Sequence, residues 1–257
     1  MRGLRRLLFI FFVPCFAVLG CEKEPSSANG SAEAETSANL PEAEKETAMS
    51  INVQWLNHAS FRITHGETVI YIDPWKLRTP AHDATAVLVS HSHYDHYSSE
   101  DVTKVSNTET KLIASADVIR QHGKGQALQP GETIKPEGFK VTAVAAYNPN
   151  KQFHPKANNW LGFVIEIDSK RIYYAGDTDM TDEMKSLKNI DLALLPVGGT
   201  YTMNAAEAAE AVKYFTPDQA VGYHWGDIIG SKSDAEEFSK SADCKVAVLE
   251  PGQSLEL

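Results

Sequence analysis

Cysteine is scarce in this chain. Its 257 residues include three, and Cys15 and Cys21 both stand at the extreme N-terminus, which leaves Cys244 alone in the remainder. A single thiol closes no internal disulfide, so whatever folds beyond the N-terminus is held by its core. Positive charge is also in short supply. With 24 Lys and Arg against 34 Asp and Glu, the formal net charge is −10 and no basic stripe interrupts it. That balance speaks against a nucleic-acid backbone as the main partner. A phosphorylated small substrate held through a metal is not excluded. Long apolar runs are missing too. The most apolar stretch, 7–19, is about a dozen residues long, short of the roughly twenty needed to span a bilayer. Internal repeats are absent from the remainder.

The N-terminal fifty residues read as an address and a tether. Arg2, Arg5 and Arg6 precede the apolar run, and Val18-Leu19-Gly20-Cys21 follows it. A basic start, a short apolar run and a small residue before the cut form a secretory signal. The cysteine after Gly20 resembles a bacterial lipobox, in which Cys21 becomes the lipidated first residue. We therefore expect a lipoprotein signal peptide over 1–20, export, and a lipid anchor on a bacterial membrane, the outer one if present. Residues 21–50 are rich in Ser, Ala, Glu, Thr and Pro, with Leu40 and Met49 nearly the only larger apolar residues. Such a stretch buries too little surface to offset its ordering entropy, and the expectation is a disordered acidic tether. The folded domain is expected over 51–257.

With 42% hydrophobic and 23% charged residues, that domain can build a core. Alternation predicts strands over 51–56, 60–64 and 68–72, with a hairpin turn at His65-Gly66-Glu67. The continuous apolar run 86–90 predicts a strand buried on both faces. Ser98 followed by acid predicts a capped helix to Val105. Further strands are expected at 111–114, 141–146, 161–167, 171–175, 192–195 and 220–223, with helices near 116–121 and 204–215. Hairpins first and alternation with helices later predict an α/β layered domain.

Nine histidines occur in the chain, and three of them fall within His91-Ser92-His93-Tyr94-Asp95-His96, directly after the buried strand. Residues two apart at a strand end project to the same side, so His91 and His93 can share a target, and the following turn can bring Asp95 and His96 to a neighbouring point. Imidazole and carboxylate are ligands for divalent zinc, iron or manganese. The bland alternative is a His-rich polar loop. His58 can face the same place, in contact with substrate or with a ligand. Asp73, before Pro74, is either a turn residue or an acceptor that orients a ligand imidazole. Trp75, Tyr147, Trp160 and Tyr201 read as core or pocket wall.

The run 91–96 resembles the His-x-His-x-Asp-His signature of the metallo-β-lactamase superfamily. Trp55-Leu56-Asn57-His58-Ala59-Ser60-Phe61, Tyr71-Ile72-Asp73-Pro74-Trp75, Tyr174-Ala175-Gly176-Asp177-Thr178 and Gly222-Tyr223-His224-Trp225-Gly226 are similar to further segments of that family. Within it the chain resembles the small hydrolases akin to ascorbate-phosphate lactonase and to the phospholipase D acting on N-acyl ethanolamine lipids. The resemblance implies a four-layer αββα sandwich and two divalent metal ions, zinc first, with manganese or iron also suited. It implies that His91 and His93 hold the first ion, that Asp95, His96 and His224 hold the second, and that Asp177 bridges them. Many relatives have a third histidine for the first site at the end of the strand corresponding to 141–146. Here Tyr147 and Asn148 stand there, and the nearby histidine is His154, as a ligand, a substrate contact or an uninvolved loop residue.

The implied activity is hydrolysis by a metal-bound hydroxide, with Asp95 orienting it, acting on an ester, lactone or phosphodiester of a small-molecule or lipid-derived substrate. The alternative is a non-catalytic metal-binding or scaffold lipoprotein. The sequence leaves oligomeric state open.

Overall fold

A computed structural model describes residues 49–257. The expected signal peptide, the anchor at Cys21 and the tether up to residue 48 lie outside the described residues. Among the described residues, no helix is long and apolar enough to cross a membrane.

Alternating apolar side chains start the first sheet. β1 (Asn52–Asn57), β2 (Ser60–His65) and β3 (Thr68–Ile72) pair antiparallel. The turn between the last two passes through Gly66 at φ +54°, a backbone state that glycine enters without a Cβ penalty. Parallel strands follow: β4 (Ala86–Val89), β5 (Lys111–Ala114) and β6 (Gln126–Ala127), linked by α1 (Ser99–Val105) and α2 (Ala116–His122). The Ser98 side chain accepts from the Asp101 N–H and caps α1, as its sequence predicts.

The second sheet repeats this plan. β7 (Thr133–Ile134), β8 (Lys140–Ala145), β9 (Leu161–Ile167) and β10 (Lys170–Tyr174) pair antiparallel; β11 (Leu192–Pro196), β12 (Gln219–Tyr223) and β13 (Lys245–Ala247) then add in parallel. The intervening helices are α3 (Asp182–Lys185), α4 (Ala205–Phe215) and α5 (Lys232–Ser241). β14 (Ser254–Glu256) returns to the edge of the first sheet beside β1. Both sheets are seven-stranded, in orders β14-β1-β2-β3-β4-β5-β6 and β13-β12-β11-β10-β9-β8-β7.

Period-two alternation decides the layers. Val53, Trp55, Phe61, Ile63, Ile70, Ile72 and Leu88 join one apolar cluster with Val141, Phe163, Ile165 and Ile172 of the second sheet, so these faces meet. The alternate residues Tyr71, Val87, Val89 and Leu112 pack outward against Val102 and Val105 of α1 and Val118 of α2. On the far side, Ala208, Val212 and Phe215 of α4 and Phe238 of α5 close over the second sheet. The result is helix, sheet, sheet, helix, the expected four-layer αββα sandwich. Burying each such Val, Leu, Ile or Phe contributes about 1.5–3 kcal/mol.

Candidate metal centre

The candidate side chains leave the ends of β4, β10 and β12, with one further residue from the loop after β8. Beyond β4, the Ser90 carbonyl accepts the Leu161 N–H at 3.1 Å, tying the two sheets together at the site. The His96 and Tyr97 N–H groups then donate to the His93 carbonyl at 3.0 and 2.9 Å, closing the turn that carries Asp95. Beyond β10, Gly176 lies at φ +68°, where an added Cβ would stand 2.5 Å from the Leu161 carbonyl oxygen. Only glycine can deliver Asp177 there. Beyond β12, the His224 N–H donates to the His58 carbonyl at 3.0 Å. His58, Asp73 and His224 all adopt positive φ, at +39°, +43° and +65°. For L-residues that costs roughly 1–2 kcal/mol each.

Two groups of donors result. One ring nitrogen from each of His91, His93 and His154 lies within 4.8 Å of the others, and the same holds for donor atoms of His58, Asp95, His96 and His224. Asp177 stands between the groups. Its Oδ1 is 3.1 Å from His96 Nε2, and its Oδ2 is 3.1 Å from His224 Nε2 and 3.3 Å from His154 Nε2. These distances suit hydrogen bonds but the alignments do not: the Nε2 atoms of His96, His154 and His224 and Asp177 Oδ1 are all buried without a hydrogen-bond partner. One such orphan costs about 1–3 kcal/mol, so several at one point need a common partner, and a cation that accepts their lone pairs meets that need. The donor set of imidazoles and carboxylates fits zinc, manganese or iron.

The outward ring nitrogens say which lone pairs face inward. Asp73, fully buried, accepts from His96 Nδ1 at 2.7 Å, from Ser90 N and Oγ at 2.7 and 2.5 Å, and from the Tyr174 hydroxyl at 2.6 Å. Because Ser90 Oγ spends its proton on Asp73, it accepts from His91 Nδ1, 2.9 Å away. Asn148 Oδ1 accepts from His154 Nδ1 at 2.8 Å, and its own amide donates to the Tyr201 carbonyl at 3.1 Å, which fixes its orientation. All three histidines thus carry Nδ1–H and turn Nε2 toward the centre, that of His91 lying 3.1 Å from His93 Nδ1. Of the two possible parts for Asp73, the orienting one has this geometry.

Burial pushes the His91 pKa well below the usual histidine value, and the His93 and His58 pKa values down as well. Neutral imidazole is the ligating form. Burial opposes charge on His96 too, but Asp177 and then Asp73 hold its pKa well above normal. Burial works against Asp177 as a carboxylate, yet the surrounding His224 and His96 hold its pKa well below the ordinary range.

The structure therefore brings His91, His93, Asp95, His96, His154, Asp177 and His224 to one place. His154 reaches it through the 148–154 loop, beside His91 and His93 at ring distances of 5.4 and 5.2 Å. Of the two contacts expected for His58, with substrate or with a ligand, the structure shows the second: its side chain is buried, with Nε2 3.2 Å from Oδ2 of Asp95, a candidate ligand. Sequence reasoning did not single out Ser90, Asn148, Tyr174 or Asp117. Asp117 accepts from Ser92 Oγ, Ser115 Oγ and Trp160 Nε1 at 2.6, 2.6 and 2.8 Å. It thereby holds the Trp160 ring 4.7 Å from His91 and 4.6 Å from His93. A cavity of about 510 Å³ opens above the centre, floored by His93, Asp95, His154, Asp177 and His224 and rimmed by Tyr94, Gln152, Phe153, Tyr201 and Ile228.

Residues 52–224 match the family model of the beta-lactamase superfamily domain. A UPF0173 metal-dependent hydrolase of Thermococcus onnurineus is 34% identical over 80% of this chain and its own entire length. One from Pyrococcus abyssi is 33% identical with the same coverage. Among solved structures, Igni18, a metallo hydrolase of Ignicoccus hospitalis, superposes with a TM-score of 0.67 at 24% identity, over 81% of this chain and 98% of its own. The metallo-beta-lactamase fold protein YhfI of Bacillus subtilis has a TM-score of 0.67 at 17% identity, over 81% and 99%. These two bear on the fold alone.

Proposed function

Because this chain belongs to the beta-lactamase superfamily and is a metal-dependent hydrolase of its UPF0173 family, we propose that it holds two divalent ions and hydrolyses an ester, lactone or phosphodiester. In this reading His91, His93 and His154 would hold the first ion, Asp95, His96 and His224 would hold the second, and Asp177, between the two groups, would serve both. Zinc suits the donors best, with manganese or iron as substitutes. When bound, such ions supply the Lewis acidity that lets water attack near neutral pH. The protein's own share is orientation. His58 donates to Asp95 Oδ2 and fixes that carboxylate at the cavity floor, where it orients the attacking water. Trp160 covers His91 and His93 and limits solvent there.

One observation carries this reading: the buried Nε2 atoms of His96, His154 and His224, all without hydrogen-bond partners, converge on the Asp177 carboxylate, whose Oδ1 also lacks one. Elemental analysis of the purified, reconstituted protein tests it. Two ions per chain are expected; one or none refutes the two-ion arrangement.

The proposal extends to location. The basic start, apolar run and Gly20-Cys21 support a mature protein anchored through acyl chains on Cys21, with several chains giving stable attachment where one would not.

A further inference from the structure

Resting on the hydrolase reading above, we propose that the substrate is a neutral carboxylic ester, open-chain or lactone, whose apolar group lies against Tyr94, Phe153, Tyr201 and Ile228. Large apolar side chains standing well exposed are few among the described residues: Met49, Tyr94, Phe153 and Tyr214. Two of them sit on the rim of this one cavity. Tyr94 is 68% exposed directly beside Asp95, and Phe153, beside His154, meets the Tyr201 ring edge-on at 4.8 Å. An exposed aromatic rim around a polar floor is what a ligand with one reactive polar group and one apolar arm would cover.

The charges point the same way. Among the described residues, none that lines the cavity is a lysine or arginine. The lysines of the loop carrying Phe153 and His154 are already engaged: Lys151 bonds Asp179 and the Thr202 carbonyl at 2.6 and 2.7 Å, and Lys156 pairs with Glu183 at 2.9 Å. Lys76 is held by Asp227, the neighbour of Ile228, at 2.9 Å. A phosphodiester would thus meet no free protein cation in the cavity, on a chain whose net charge is −10. A neutral ester needs no such partner. In the step proposed, water oxygen bonds to the acyl carbon, the acyl C–O bond breaks, and the water's proton passes to the leaving alkoxide. The products are a carboxylic acid and an alcohol, joined in one molecule when the substrate is a lactone.

The test compares p-nitrophenyl acetate, butyrate and hexanoate with bis(p-nitrophenyl) phosphate on the zinc-reconstituted protein, with calorimetric binding of 2-octanone and octyl phosphate to the zinc-free protein. We expect kcat/KM to rise with acyl length, by at most about fourfold for each fully buried methylene, and the phosphodiester to fall at least about tenfold below the hexanoate. We expect Tyr94→Ser and Phe153→Ser, both at the surface and checked for folding by circular dichroism, to flatten the chain-length slope and weaken 2-octanone binding. A flat slope in the wild type, a faster phosphodiester, or tighter octyl phosphate than 2-octanone overturns the ester assignment and leaves the hydrolase reading intact. Inertness toward every probe with zinc retained also overturns the assignment. Failure to retain zinc removes the hydrolase reading, and this inference with it.

Discussion

Replacing Asp73 by Asn isolates the orientation of the metal ligands from everything else at the site. The substitution keeps size and shape, and Asn tolerates the positive φ of +43° at this position about as well as Asp. What changes is the acceptor count. Oδ2 of Asp73 faces His96 Nδ1, Ser90 Oγ and the Tyr174 hydroxyl, while Oδ1 faces the Ser90 N–H. An amide can present its oxygen to one side only. With oxygen toward His96, its NH₂ confronts the Ser90 N–H. With oxygen toward Ser90 N, donors confront the amide instead, and His96 must move its proton to Nε2, the nitrogen meant for the ion. A hydrogen bond to a charged group is worth about 1.5–3 kcal/mol, and breaking a buried ionic pair costs about 3–5 kcal/mol. We expect a loss of about 3–5 kcal/mol, or on the order of 10 °C in Tm for a domain of this size. Metal affinity should fall about 10–100-fold. Thermal melts with and without chelator, and zinc competition against a chromophoric chelator, measure the two effects. A Tm within about 2 °C of wild type together with unchanged zinc affinity would show that Asp73 does not orient His96.

Other outcomes follow from the same geometry. His93→Ala and Asp177→Asn should each abolish turnover while far-UV circular dichroism stays native; wild-type rates in either would move the reacting water elsewhere. His154→Ala should lower metal content toward one ion per chain, and full content with a weaker substrate response would place His154 in the binding pocket. Burial opposes the Asp117 carboxylate, but donors from Ser115, then Ser92 and Trp160, hold its pKa below the ordinary 3.8. Its contribution to stability is therefore present above that ordinary value and lost as pH falls through the lower folded value. The Tm gap between wild type and Asp117→Asn should stay constant at neutral pH and close in acid; a gap that widens in acid contradicts this. Cys21→Ser should leave the membrane fraction or remain an uncleaved precursor, and material processed and fractionated like wild type would mean an ordinary signal peptide.

Much of the site was legible because its residues are marked by their neighbours. The 91–96 run follows an apolar strand, and Asp177 and His224 each follow another, so strand recognition also located the side chains. The layered fold was legible for the same reason, since the longer strands alternate or run wholly apolar. α5 was missed because only Ala235 and Phe238 of its ten residues are buried, too few to mark a period. β13 and β14, at three residues each, are shorter than any periodic window. The duplicated strand plan leaves no trace in the sequence because it resides in backbone pairing, which different side chains satisfy equally. Whether His58 meets substrate or a ligand stayed open because sequence gives no direction to a residue at positive φ. The partners Ser90, Asn148 and Tyr174 were invisible because a serine, an asparagine or a tyrosine looks the same with or without an imidazole beside it.

The meeting of the sheets at the Ser90–Leu161 hydrogen bond has a consequence for how the protein matures. His91, His93, Asp95 and His96 leave the first sheet; His154, Asp177 and His224 belong to the second. No part of the chain shorter than the span from the first to the last of them can assemble the centre, and the edge of the first sheet itself waits for β14, a strand at residues 254–256. Assembly of the centre thus waits for both sheets, and filling it reports that the chain through His224 has arrived. A chain cut short just before β14 would lose that edge strand and keep every ligand.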